Sequence, residues 1–260
     1  MFVISKFVTK LKASNRQKPP TTLNTPFTIK FGLFMAFLVS FLLPLVLFSP
    51  LIIAKMMGLP LIEQIGMTAD NFGIYIFFSQ AAGLVITLVL IARRLRKNHE
   101  TWSSVGLKGF RVFQGMRYIA GYYLALLGVL IALAIITTSL GVNVASPPGN
   151  KSGGTEMLNI IGDFWLTFAI SVVIAPIIEE IVFRGALFPA IKRRYGLTAG
   201  IVLSSLVFTL VHMNPIQMIS VLPLGIYLAI MYHRTGSIYP GMILHATWNL
   251  MVLLIARQSA

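Results

Sequence analysis

Long runs of apolar residues, each close to the length of a bilayer crossing, dominate this chain of 260 residues. A helix needs about 20 residues to cross the hydrocarbon core, whereas a barrel strand needs about 10 residues of alternating polarity. The apolar runs of this chain have the length of membrane-spanning helices. Hydrophobic residues make up 57% of the chain and charged residues 11%, which is too little charge to coat a water-soluble globule. The sequence therefore predicts an all-α, polytopic transmembrane helical bundle in the cell membrane.

The hydropathy pattern predicts about seven spans, within a range of six to eight. They form one transmembrane domain over residues 31–260, and its candidate catalytic core lies at about residues 160–252. The predicted spans are Leu33 to Ala54, Phe72 to Ala92, Tyr118 to Leu140, Phe164 to Phe188, Leu197 to Met213, Pro215 to Tyr232 and Ile238 to Ala256.

Basic residues are concentrated in alternate connections between these spans. They crowd the first 30 residues, the connection after the second span and the turn at residues 192–194, whereas the connections at 55–71 and 141–162 carry few. By the positive-inside rule, this distribution predicts a cytoplasmic N-terminus. Because the net charge of +14 follows membrane topology instead of forming one basic face, we expect the bilayer and no nucleic acid as partner.

The first 30 residues form a separate, basic N-terminal arm. Apolar residues recur there at helical spacing with Lys6, Lys10 and Lys12 between them, which predicts an amphipathic helix on the cytoplasmic leaflet. A disordered basic tail is the alternative. The lysines interrupt any apolar core of a cleaved signal peptide, so we do not expect one.

Two adjacent glutamates, Glu179 and Glu180, end an otherwise apolar run inside the fourth span. Carboxylates at membrane depth are costly and usually face a water-filled interior, where they mark function. Glu180 and Arg184 are four residues apart, so they share a helix face and can form an ion pair. Glu179 points about 100° away from Glu180, which leaves it free for chemistry.

Three further polar residues lie within or at the end of later spans, namely His212, His245 and Asn249. At about 1.5 Å per residue, Glu179 and His212 lie ~20 and ~22 Å from the basic side, while His245 and Asn249 lie ~10 and ~16 Å from it. We expect them to meet at a polar cavity that opens to the cytoplasm. A carboxylate that takes a proton from water, together with imidazole and amide donors for an oxyanion, suits amide hydrolysis.

These residues fall into three motifs on successive apolar segments, and together the motifs resemble the CPBP intramembrane proteases. That family includes type II CAAX prenyl endopeptidases and bacteriocin-processing enzymes. The resemblance covers about residues 160–252. The motifs are Glu179-Glu180-x-x-x-Arg184, Phe208-x-x-x-His212 and His245-x-x-x-Asn249.

The resemblance implies a role for each site residue. Glu179 would be the general base that activates water, with His212 completing that activation, and His245 and Asn249 would form the oxyanion site. The paired carboxylate and its arginine would set the geometry of the site. A glutamate-type mechanism of this kind needs no cofactor. Two histidines and two glutamates are also zinc ligands, so zinc remains an alternative.

We therefore expect an intramembrane endopeptidase that cuts membrane-associated peptides or proteins near the cytoplasmic leaflet. Processing of secreted peptides, or bacteriocin immunity, is favoured over CAAX maturation. Two alternatives stay open on the sequence: a non-catalytic immunity or scaffold protein that keeps the glutamates, and a small proton-coupled transporter that uses Glu179 and Glu180 as its ion site.

Overall fold

A computed structural model describes residues 26–42, 72–141 and 153–258. Helices joined by short connections make up these residues, with no strand among them, so the predicted all-α bundle is confirmed. The helices are α1 (Ile29–Phe37, continued by a π-helical stretch, Leu38–Leu42), α2 (Phe72–Lys97), α3 (Val112–Ser139), α4 (Gly153–Ile161), α5 (residues 164–195), α6 (residues 197–210), α7 (Pro215–Thr235) and α8 (Tyr239–Gln258).

A helix overlaps each predicted span, the first of which is described only in part, and α4 is an additional helix. By length and composition, four helical segments of the described chain can cross a membrane: Gly73–Lys97, Val112–Ser139, Phe164–Leu210 and Tyr239–Gln258. The prediction of a connection over residues 141–162 is wrong for α4, which is helical. Because α4 is short and begins with glycines, a hydropathy profile does not show it as a helix. The N-terminal arm up to residue 25, the end of the first predicted span and the 55–71 connection lie outside the described residues.

Helix α5 departs from regular α-helical geometry on both sides of Pro176. The π-helical stretches Ala169–Ile174 and Glu180–Leu187 flank a short α-helical piece, Ala175–Glu179. A proline inside a helix lacks a hydrogen-bond donor and clashes with the carbonyl four residues earlier, so a change of helical pitch beside it has a physical cause. Such π-helical distortions occur frequently at functional sites. The chain continues through the membrane and carries both glutamates at the second junction.

Helices α5 and α6 are joined by a sharp reversal at Gly196. Its backbone has φ 87° and ψ 175°, a region that is essentially limited to glycine. The reversal brings Gly200 against Lys192, where a Cβ on Gly200 would lie 2.9 Å from the Lys192 Cβ. Helix α6 therefore runs back along the bundle and delivers His212 to the level of the glutamates.

The bundle has one strongly basic end. There the Arg94 Nε donates a hydrogen bond to the Pro26 carbonyl at 2.8 Å, joining the end of α2 to the start of α1. The Lys192 Nζ donates to His233 Nδ1 at 3.2 Å, joining the ends of α5 and α7. We call this the basic end. Its basic residues are Lys30, Arg93, Arg94, Arg96, Lys97, Lys108, Arg111, Arg117, Lys192, Arg193, Arg194 and Arg234.

The other end of the bundle, which we call the opposite end, is formed by α4, the start of α5 and the end of α8. The Arg257 guanidinium lies 4.5 Å from the centre of the Phe164 ring, a cation–π contact between α8 and α5. Asp163 caps α5 by accepting a hydrogen bond from the Leu166 backbone N–H at 2.7 Å. Helix α5 thus starts at the opposite end and finishes at the basic end.

Substitution of Gly196 by alanine should lower stability, because alanine is strained at a φ of 87°. We expect the free energy of unfolding to fall by about 1–3 kcal/mol. The matched control is Gly128→Ala, at a helical position with nothing within 4 Å of the added Cβ. Thermal unfolding in detergent should show a lower midpoint for Gly196→Ala and no loss for Gly128→Ala. Equal midpoints would contradict the reversal at Gly196.

Candidate active site

A buried ion pair lies at the centre of the bundle. The Arg184 Nη1 is 3.0 Å from Glu180 Oε1, and both side chains are at most 2% exposed. Arg184 Nη2 also donates to the Gly225 carbonyl at 3.3 Å. Its guanidinium lies 4.1 Å from the centre of the Phe208 ring. The arginine therefore fixes the Glu180 carboxylate and ties α5 to α6 and α7.

His245 lies between the two glutamates. Its Nδ1 is 3.3 Å from Glu180 Oε1, and its Nε2 is 3.7 Å from Glu179 Oε2. Since an ionised carboxylate only accepts hydrogen bonds, the short contact assigns the Nδ1 proton to the bond with Glu180. Counting helical rise from the sequence places His245 short of the glutamates, whereas the structure brings it into contact with both. The starting depth of α8, set by packing, accounts for the difference.

Glu179 is the less constrained carboxylate of the two. Its side chain is 24% exposed, against 1% for Glu180. Its Oε2 is buried but has no hydrogen-bond partner among the described residues, and 3.7 Å is too long for a direct bond to His245. A buried polar atom without a partner calls for a ligand, a water or a catalytic role.

A cavity of about 550 Å³ borders this carboxylate. Glu179, His212, His245 and Asn249 all line it, so the structure brings these four predicted site residues to one space. Most of the other lining residues are apolar, which differs from the polar cavity that we expected. The described lining residues of α7 and α8 lie mostly on the opposite-end side of Glu179, and the opening of the cavity to the cytoplasm stays a prediction.

His212 is another of the residues that line the cavity. Its Nδ1 is 2.8 Å from the Phe208 carbonyl, which can only accept, so Nδ1 donates. In the neutral ring, Nε2 is then an acceptor. His212 is not within 4 Å of either glutamate, whereas His245 is. The structure thus brings His212 to the cavity but not into direct contact with Glu179.

Asn249 follows His245 by one helical turn and faces the same cavity. Its Nδ2 donates a hydrogen bond to the Ser171 carbonyl at 2.7 Å, in the π-helical stretch of α5. A side-chain amide nitrogen carries two hydrogens, so one remains for another acceptor. The bond to α5 fixes the position of the amide relative to Glu179.

Two further residues shape the site without having been singled out for chemistry. Phe208 is fully buried, and its ring lies 5.1 Å from that of His212 and 5.6 Å from that of His245. Its packing partners therefore include both site histidines. Gly241 lies one turn before His245, and a Cβ there would be 2.8 Å from Glu180 Oε2. In the sequence, only its position four residues before His245 could have indicated that Gly241 belongs to the site.

The carboxylates and imidazoles at the site are not arranged to bind a metal ion. Among the described residues, no group of three or more His, Asp or Glu side chains is arranged to hold one. Glu180 is already paired with the Arg184 guanidinium, and a metal cation at Glu180 and His245 would lie beside that positive charge. The residues therefore fit zinc poorly, and we derive no step through a metal.

Replacing Arg184 with methionine should destabilise the protein strongly, because it leaves the Glu180 carboxylate buried without its partner. We expect the free energy of unfolding to fall by about 3–5 kcal/mol. The double variant Arg184→Met/Glu180→Leu removes both charges and should recover part of that loss. Unfolding midpoints in detergent measure both effects. A double variant less stable than the arginine variant alone would contradict the pairing.

Similarity to a known family is found in the part of the chain that carries the three motifs. Residues 161–251 match the family described as type II CAAX prenyl endopeptidase Rce1-like, and this range contains all three motifs. No solved structure matches the chain.

Two bacterial relatives extend this similarity. The chain is 28% identical over 212 residues to a Bacillus subtilis protein named "Putative membrane peptidase YdiL", which covers 78% of this chain and 83% of the relative. It is 32% identical over 91 residues to the UPF0177 protein YbdI of Lactococcus lactis, covering 35% of this chain and 49% of that protein. With the family match at residues 161–251, these similarities support a membrane peptidase that is similar to the CPBP family of intramembrane proteases.

Proposed function

We propose that this protein is a glutamate-type intramembrane endopeptidase in which Glu179 activates the attacking water. The observation that carries this assignment is the contrast between the two glutamates. Glu180 is paired with Arg184 and is 1% exposed, whereas Glu179 lines the cavity and its side chain is 24% exposed. A general base must reach the proton that it takes, and Glu179 is the carboxylate that reaches the cavity.

The contact between Glu179 and His245 supports a water site. In the neutral ring with Nδ1 protonated, His245 Nε2 and Glu179 Oε2 are both acceptors, 3.7 Å apart. One water can donate a hydrogen to each. Attack of this water on the peptide carbonyl transfers a proton to Glu179, which can return it to the leaving amine. His212, on the same cavity wall, completes the activation of the water in this proposal.

The oxyanion formed by that attack needs hydrogen-bond donors. Asn249 has a free amide hydrogen beyond its bond to Ser171. As the water attacks, its second hydrogen can pass to His245 Nε2, which then donates to the oxyanion and later returns the proton to the leaving amine, while Glu180 beside Nδ1 stabilises the positive charge of the ring. Donors of this type are typically worth about 10²- to 10³-fold in kcat. Glu180 and Arg184 are positioning residues, because they act through His245.

The substrates that we propose are membrane-associated peptides or proteins, with secreted and bacteriocin-type peptides preferred over prenylated proteins. No Lys or Arg side chain is among the described residues that line the cavity. A substrate carboxyl terminus would find no positive partner there. An internal bond in a neutral, apolar segment suits these walls better.

Substitution of Glu179 by glutamine should abolish cleavage while leaving the fold intact, since the amide cannot accept the proton of water. We expect at least a ~10²-fold loss of product, the lower range for general-base catalysis. The matched control is Glu100→Gln, in the connection after α2 at the basic end. Mass spectrometry of peptides and membrane proteins from cells with wild-type or variant protein measures the product.

The outcome separates the candidate functions. Uncut precursors should accumulate with Glu179→Gln and not with Glu100→Gln. Products unchanged in both Glu179→Gln and His212→Ala would reject this mechanism and leave a binding role. A proton-coupled flux that is lost in the same two variants would indicate transport instead.

Activity should also survive the removal of metal ions. The Arg184 guanidinium beside Glu180 disfavours a cation at the site, so the reaction is expected to run without one. Purified protein treated with EDTA or 1,10-phenanthroline, then dialysed, should retain its cleavage rate. A large loss that added zinc restores would contradict the proposed mechanism.

A further inference from the structure

Two glutamines line the cavity together with the four site residues, and the proposed mechanism does not use them. They are Gln80 on α2 and Gln217 on α7, and both side chains are half-buried. Neither carboxamide makes a hydrogen bond to another described residue, since the bonds that Gln217 makes at the start of α7 use its backbone. The hydroxyl of Ser171 on the same wall, by contrast, donates to the Thr167 carbonyl at 2.7 Å. Two polar side chains without a partner in a largely apolar wall call for a ligand.

The depth of Gln217 follows from the contacts of α7. The Gly225 carbonyl accepts a hydrogen bond from Arg184 Nη2, so Gly225 lies at the level of the buried ion pair. Gln217 is eight residues earlier on the same helix. At ~1.5 Å per residue, it lies ~12 Å from the ion pair along the axis of α7. Val221 and Leu224 line the cavity at helical spacing between the two levels, so one face of α7 connects Gln217 to the active site.

Gln80 lies at a similar depth on α2. This helix begins beside the end of α4, because a Cβ on Gly73 would be 2.5 Å from the Ile161 carbonyl oxygen. From there α2 runs in the same direction as α5 and packs against the part of α5 that ends at Glu179. Gln80 is seven residues beyond Gly73, or ~10 Å along the helix axis, which is the level of Ser171 on α5. The two glutamines therefore border the cavity at a common depth.

A peptide segment that enters this cavity brings polar backbone groups with it. A helix that is unwound for cleavage loses its internal hydrogen bonds, and each backbone amide left without a partner in apolar surroundings is costly. A carboxamide carries two N–H donors and one oxygen acceptor, so it can pair with a backbone carbonyl and with a backbone N–H. Glutamines in membrane helices often join helices to one another, but Gln80 and Gln217 make no such bond to another described helix.

We infer that Gln80 and Gln217 are substrate-binding residues, whose carboxamides pair with the peptide backbone of the substrate near the bond that is cut. This inference rests on the proposed peptidase function. An extended chain advances ~3.3 Å per residue, so a distance of ~10–12 Å places these contacts about three or four residues from the cut bond. Because the backbone is the same in every peptide, such contacts accept apolar segments of different sequence.

Replacement of single backbone amides by esters tests the inference, because an ester lacks the N–H donor. The probe is a synthetic peptide that spans one of the cut sites dependent on Glu179, with one ester at a time at successive residues on both sides of the cut bond. The full-length enzyme in detergent is compared as wild type, Gln80→Met and Gln217→Met, since methionine has a similar shape but no carboxamide. Gln114→Met is the matched control, because Gln114 lies on α3 and does not line the cavity.

For wild type, kcat/KM should fall about 3- to 10-fold for an ester at one position for each glutamine, the usual loss for one hydrogen bond. Gln80→Met and Gln217→Met should each lower kcat/KM of the all-amide peptide by a similar factor and remove the effect of the ester at its own position. Gln114→Met should keep the wild-type response. An ester effect of equal size in wild type and in a glutamine variant would overturn the inference for that glutamine, as would the lack of any ester effect in wild type.

Unfolding midpoints separate substrate binding from a structural role. Because neither carboxamide has a partner among the described residues, Gln80→Met and Gln217→Met should unfold at the wild-type temperature. A lower midpoint together with the wild-type response to the esters would assign a structural role and reject the inference. If cleavage depends on Glu179 but the esters have no effect, the inference fails and the peptidase mechanism stands. If no cleavage depends on Glu179, the proposed function fails and the inference fails with it.

Discussion

The buried ion pair between Glu180 and Arg184 is the interaction on which the arrangement of the site depends. Removing two charges from water is costly, and an ion pair compensates only when its geometry is good and its remaining groups find partners. Here the guanidinium contacts the Gly225 carbonyl and the Phe208 ring, and the carboxylate contacts His245. One ion pair on α5 thereby orients groups on α6, α7 and α8. It also leaves Glu179 as the carboxylate without a fixed partner.

Glycines allow the neighbouring helices to come close enough to contact the ion pair and the Phe208 ring. Gly241 lets α8 come near enough for His245 to meet both glutamates, and Gly225 lets α7 pack against the Phe208 ring, where a Cβ would lie 3.0 Å away. The π-helical stretches around Pro176 place Glu179 and Glu180 at the junction of two helical pitches. The candidate site is thus assembled from a distorted helix and two glycine contacts beside the cavity.

Much of this could be predicted from the sequence, for identifiable reasons. The apolar runs predicted the helices, because the thickness of the bilayer sets the length of a membrane-spanning helix. The spacing of Glu180 and Arg184 gave their ion pair because residues four apart share a helix face. The motif order gave the family, which the comparisons support. The roles of Glu179, His212, His245 and Asn249 remain predictions.

Other features depend on packing between helices, which spacing along one helix does not encode. Counting residues misplaced His245, because the depth at which α8 begins is set by its neighbours. Sequence spacing also gives no sign that Val105, from the connection after α2, packs against Gly185 on the basic-end side of the glutamates. Helix α4 was missed because its glycine-rich, short sequence resembles a loop.

The central claim is that Glu179 activates water and does not attack the substrate itself. Single-turnover cleavage in H₂¹⁸O, followed by mass spectrometry of product and enzyme, tests it most directly. Direct attack by water predicts one ¹⁸O in the new product carboxylate and none in the peptide that contains Glu179. Label in the Glu179 carboxylate, with unlabelled product, would show a covalent intermediate and contradict the account.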